Sequence, residues 1–155
     1  MTADLADPMQ RELVFTRRFQ APRALVFKAW TDPVFLARWW GPRGFTNPVC
    51  EADARPGGAL KIVMRAHYGT DYPMRGVFLE VTPPERLVFT TQALDNDGRV
   101  VLEGWNEVVL KEAGDATDLT LTARATAMVP EAAAYLEGME PGWSQSLDKL
   151  AAEWG

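Results

Sequence analysis

The chain holds a single histidine, His67, and a single cysteine, Cys50, among its 155 residues. One histidine cannot build a two-imidazole metal site within one chain, so no metal is expected. His67 lies in the run His67-Tyr68-Gly69-Thr70-Asp71 between two strand-like segments, where a turn residue and an acid–base residue are the competing readings. Cys50 has no second cysteine to pair with and no histidine beside it, and reads as an inert thiol in a strand. Glu51, Glu80 and Glu103 fall in strand-like runs. Carboxylates that meet on one inner face can do acid–base work, whereas solvent exposure or pairing with Arg65 or Arg75 is the plainer outcome. No Gly-x-Ser-x-Gly elbow, phosphate loop or Gly-x-Gly-x-x-Gly run occurs, so elbow-type hydrolysis and nucleotide binding have no carrier, and no cofactor is expected.

Six tryptophans are the most informative feature of the composition, because indoles bury large areas and also line apolar sites, where the ring NH can orient a polar group. Trp30, Trp143 and Trp154 fall on helix stripes and suit packing. Trp39 and Trp40, just before Gly41-Pro42, can flank a cavity mouth, and Trp105, between Gly104 and Asn106, can face a trough.

Composition bounds the partners. Hydrophobic residues are 47% and charged residues 24% of the chain, the balance of a globular domain able to bury one core. A net charge of -5 without a Lys/Arg cluster argues against nucleic acid and against an anionic membrane surface. No run reaches ~18 apolar residues, so no membrane span is expected. The start of the chain carries Asp4 and Asp7 and does not resemble a signal peptide. With a lone cysteine, a reducing compartment and thus a cytoplasmic location are expected.

The elements that must position these residues follow from periodicity. Residues 1–10 read as a flexible leader and 11–155 as one domain. Glu12 to Phe19 is rich in β-branched and aromatic residues and stops at Ala21-Pro22, a first strand. Pro22 and Asp32-Pro33 are helix starts, each followed by apolar residues on one face, and Gly41-Pro42 closes the second short helix. Segments near 47–54, 58–66, 75–82, 86–92 and 100–111 have strand length and are separated by turn residues, and Asp118 to Ala127 alternates strictly. After Pro130, a short helix breaks at Gly138 and Pro141. Trp143, Leu147, Leu150 and Trp154 then form the stripe of a terminal helix. The predicted architecture is α+β: a curved antiparallel sheet of about seven strands around a long C-terminal helix, with two short helices after the first strand. A twisted sheet of this size curls, and one helix laid in its trough need not fill it.

The same order carries a resemblance over Glu12 to Trp154. Its segments are Thr31-Asp32-Pro33 with Trp39-Trp40-Gly41-Pro42, Asp53-Ala54-Arg55-Pro56-Gly57-Gly58 and Arg75-Gly76-Val77-Phe78-Leu79-Glu80-Val81, then Pro83-Pro84-Glu85-Arg86-Leu87-Val88-Phe89-Thr90 and Gly142-Trp143 with Leu147 and Leu150. The sequence resembles the activator-of-heat-shock-protein-90-ATPase homologue-like family, within the START and birch-pollen-allergen-like superfamily of helix-grip folds. The resemblance implies the fold and leaves the activity to be argued from the site. Three functions follow as expectations. The first is non-catalytic binding of an apolar or amphipathic small molecule, lipid included, lined by Trp39, Trp40, Met64, Phe78, Trp105, Met139, Trp143 and Leu147. The second is a cyclase, dehydratase or hydrolase with His67 or Glu103 as its acid–base group. The third is a chaperone-associated module stimulating a heat-shock chaperone ATPase, with a homodimer or that chaperone as partner; the chain is too short to add a separate chaperone-binding domain.

Overall fold

The structure, a computed structural model, describes residues 9–155; residues 1–8 of the expected leader lie outside the described residues. Gln10, the last residue of that leader, already belongs to the first strand, β1 (Gln10–Phe19). Two short helices follow, α1 (Arg23–Thr31) and α2 (Pro33–Trp39). Asp32 caps α2, its Oδ1 accepting from the Val34 and Phe35 amides at 2.9 and 3.4 Å, with Pro33 in the first turn, where a missing NH costs nothing. Pro22 sits one residue before α1 rather than at its first position.

Six further strands form a meander: β2 (Thr46–Ala52), β3 (Ala59–Arg65), β4 (Asp71–Thr82), β5 (Arg86–Leu94), β6 (Val100–Ala113) and β7 (Ala116–Ala127). All neighbours are antiparallel in the order β1-β7-β6-β5-β4-β3-β2, so the first strand closes beside the last. β4 begins at Asp71, four residues before the expected position. Arg65 and Asp71 make a bidentate ion pair at 2.7 and 3.1 Å that closes the β3–β4 hairpin, and Pro73 is accommodated opposite Val63. Register shifts at Phe78/Glu80 and Ala93/Leu94 bend the sheet, as bulges do.

The chain ends in a 3-10 turn (Pro130–Ala132), α3 (Ala133–Glu137), α4 (Met139–Ala151) and a last 3-10 turn (Ala152–Trp154). Gly138 separates α3 from α4, as expected, and Pro141 is tolerated because it falls in the first turn of α4. Leu147 and Leu150 of α4 are fully buried in the main core with Trp30, Leu36, Phe78, Leu87 and Phe89. Trp154 packs beyond the helix, 5.7 Å from Phe19 and 5.9 Å from Phe35, ring centre to ring centre. A smaller cluster of Ala125, Ala127, Ala132 and Leu136 seats α3 on the end of β7, and Arg11 Nη1 donates to the Leu136 carbonyl at 2.7 Å to hold it there. Among the described residues no helix is long and apolar enough to cross a membrane.

Candidate functional site

Side-chain size along the inner face of the sheet decides where the trough is filled. One cross-strand row runs Ala123, Asn106, Phe89 and Phe78, and its two phenylalanines are buried in the core. The next row toward the N-terminus of α4 runs Ala125, Gly104 and Thr91. Small residues there, facing Gly142 on the helix, leave a cavity of about 230 Å³. Met64, Met74, Ala93 and Leu102 complete its floor, Trp40, Gly41 and Pro42 one wall, and Met139, Trp143 and Ser146 the roof. Tyr72 and Tyr135 stand on its border.

The wall is held from behind. Asn47 Nδ2 donates to the Ala37 and Trp40 carbonyls at 3.0 and 2.8 Å, closing the end of α2. Lys149 Nζ donates to the carbonyls of Gly41 and Pro42 at 3.1 and 3.4 Å. Its pKa is lowered by burial and then by the positive charge of Arg43. Trp143 stacks on Trp30 at 6.0 Å and meets Trp40 edge-on at 5.4 Å, so the two indoles of the lining are braced by the core.

Polar groups in the cavity are few. Asn106 is 3% exposed and its Nδ2 donates to the Phe89 carbonyl at 3.3 Å. Ser146 donates to the Gly142 carbonyl at 2.9 Å. The hydroxyls of Tyr72 and Tyr68 lie 2.8 Å apart. That hydrogen bond, with burial and the charges of Tyr68 and Tyr135 behind it, raises the Tyr72 pKa above the ordinary phenol value. All three tyrosines of the chain therefore gather at this border. Arg124 borders the cavity too, but its guanidinium lies on the other side of the sheet, 5.0 Å above the Trp105 ring and 3.0 Å from Glu12.

Of the eight residues expected to line a pocket, Trp40, Met64, Met139 and Trp143 do so. Trp39, Phe78 and Leu147 are instead buried in the filled core, and Trp39 Nε1 donates to the Ala29 carbonyl at 2.9 Å. Trp105 is on the outer face, because Asn106 and Gly104 take the inward parity of β6; it borders a second, more polar depression of about 290 Å³ with Gln92, Glu103 and Thr126.

The acid–base candidates do not converge. Glu103 shares that outer depression and accepts from Gln92 Nε2 at 3.3 Å. Glu80 pairs with Arg86 at 3.2 Å, and Glu51 lies exposed opposite Lys61. His67 is exposed in the β3–β4 turn, its ring edge-on to Tyr68 at 5.1 Å, one aromatic layer behind the border. Cys50 packs against the core, and burial, then the Glu51 charge, push its thiol up to about 11. Sequence reasoning missed Tyr72, Met74, Asn106 and Tyr135. For Asn106 the signal was present: it shares parity with Leu102, Val108 and Leu110 in β6.

Comparison with known proteins agrees with the fold. A protein from Chromobacterium violaceum is 31% identical, with a TM-score of 0.80 over 92% of this chain and 96% of that one. The AHSA1 protein of Silicibacter pomeroyi is 30% identical, with a TM-score of 0.79 over 92% and 96% of the two chains. A protein from Nitrosomonas europaea is 28% identical, with a TM-score of 0.71 over 91% and 92%. No curated protein matches the chain. The family model for activator of Hsp90 ATPase homolog 1-like proteins matches residues 20–155. On this match, a curved seven-stranded sheet and a C-terminal helix over it, the chain belongs to the AHSA1-like family of the START-like, helix-grip superfamily.

Proposed function

We propose that this domain binds a compact, largely apolar small molecule between the sheet and the first half of α4, without transforming it. The observation that carries the reading is the cavity of about 230 Å³, whose lining is mostly indole, thioether, methyl and phenol with one amide and the hydroxyls of Thr91 and Ser146. A cavity of about 150 Å³ with apolar walls takes up benzene. By that scale the site suits a molecule of roughly ten non-hydrogen atoms, larger than one ring and smaller than a sterol.

The catalytic reading fares worse on geometry. An acid–base step needs a group within hydrogen-bond reach of the substrate, and Glu103 lies across the sheet while His67 stands outside the border. A role beside a heat-shock chaperone rests on the family's name alone.

Calorimetry with a series of one- and two-ring aromatics tests the proposal. At least one should bind with micromolar affinity and raise the melting temperature in step with its concentration. Absence of binding across the series, together with stimulation of a heat-shock chaperone ATPase by the unliganded protein, would replace this reading with the interaction-module one.

A further inference from the structure

Asn106 gives the cavity a chemical preference. Its Nδ2 is committed to the Phe89 carbonyl at 3.3 Å, and because a carbonyl can only accept, that contact also fixes which end of the amide is which. The other end, Oδ1, accepts no hydrogen bond from any of the described residues, while the residue is 3% exposed and borders the cavity. The fully buried unpartnered side-chain atoms among the described residues are Arg23 Nε, Trp30 Nε1, Asn47 Oδ1 and Arg86 Nε, so Asn106 Oδ1 keeps access to open space; a ligand that covers it without offering a donor forfeits about 1–3 kcal/mol. Thr91 Oγ1, packed over Gly104 in the adjacent row, adds a hydroxyl able to donate or accept.

Positive charge is withheld from the same space. The Arg124 guanidinium is on the outer face with Trp105 and Glu12. Lys149 reaches the wall, yet its ammonium is engaged by the carbonyls of Gly41 and Pro42. A carboxylate entering the cavity would shed its water and meet the Asn106 oxygen with at most the neutral indole N–H groups of Trp40 and Trp143, and no cation, to offset it.

Resting on the reading of this cavity as a binding site, we infer that Asn106 makes it selective for a neutral ring compound that presents an N–H or O–H, and that it turns away carboxylates, fatty acids included. The donor points at Oδ1 and the ring packs against the cavity-facing side of the Trp40–Trp143 pair.

Calorimetry at pH 7 with indole, indene and benzoate, three molecules of nearly equal size, tests this on the full chain. Indene is the most apolar, so a cavity without a directed acceptor prefers it over indole. The wild-type protein should instead bind indole about tenfold more tightly than indene and give no heat with benzoate. In Asn106→Leu the order of indole and indene should reverse, with indene binding retained. Equal or tighter binding of indene by the wild type, or benzoate binding as well as indole, overturns the inference while leaving the cavity a binding site. If none of the three binds, the binding reading itself falls and the selectivity with it. Should Asn106→Leu fail to fold, the wild-type comparison decides alone.

Discussion

Cys50 and Gly104 set limits on what individual side chains can do here. A thiol pushed from 9.0 to about 11 holds roughly a hundredfold less thiolate near neutrality than a free one, and the thiolate is the nucleophile. Modification by a disulfide reagent at pH 7.5 should accordingly be about a hundredfold slower than for a model thiol and accelerate steeply toward pH 11; a rate at pH 7.5 equal to the model's contradicts the burial. Gly104 acts by what it lacks. A Cβ there runs into Thr91 Oγ1, and larger groups would project into the cavity. Gly104→Val should cost about 1–3 kcal/mol through overpacking and remove binding of small aromatics, measured by urea unfolding and calorimetry on the same sample. Unaltered binding would place the ligand elsewhere.

At the scale of elements, the terminal turns of α2 do more for the site than its buried face. Asn47 Nδ2 bonds to Ala37 and Trp40 carbonyls that the helix itself leaves unpaired, and Trp40 is the residue that turns from core to cavity wall. Asn47→Ala should lower stability by about 1–3 kcal/mol and weaken ligand binding in proportion to the loosened wall; a binding constant unchanged in a destabilised variant would show that the wall is positioned by α4 alone. Helix starts were legible because Asp32-Pro33 combines a cap acceptor with a residue that needs no donor. Strands were legible from their alternation, most clearly in β7. The face each strand turns inward was harder to read. Gly104-Trp105-Asn106 presents an indole between a glycine and an amide, and apolar preference alone points the indole inward. The register pairing Asn106 with Phe89 and Gly104 with Thr91 sends it out, and register is a property of two strands at once. The same limit explains Trp39 and Phe78. Their burial was readable, but whether they meet other side chains or empty space depends on the small row of Ala125, Gly104 and Thr91 three strands wide.

For the molecule as a whole, the sheet is closed at its edges and hairpins by exposed ion pairs: Arg18–Asp118 joins β1 to β7 at 2.7 Å, Arg65–Asp71 closes β3–β4, and Arg99–Asp95 closes β5–β6. Hydrogen bonds from their arginine partners, backbone amide first for Asp95, hold all three carboxyls below the ordinary 3.8. A depressed carboxyl stabilises the fold fully above its unfolded pKa, and the contribution is lost as pH falls through the lower folded value. Urea midpoints should therefore be insensitive to these pairs from neutrality down to about pH 4.5 and decline below 3.8. Asp71→Asn should make the acid decline shallower, and since the pairs are exposed the change should be small. An Asp71→Asn protein with the same acid profile as wild type would remove that pair from the account.

A ligand under α4 would lie against methionine methyls, which report on the void directly. Six methionines occur in the chain, of which Met64, Met74 and Met139 line the cavity while Met128 is 48% exposed elsewhere. With methionine methyls labelled by carbon-13, titration with indole should shift the resonances of Met64, Met74 and Met139 and leave Met128 in place. Saturable binding that moves Met128 and leaves those three unmoved would contradict that placement.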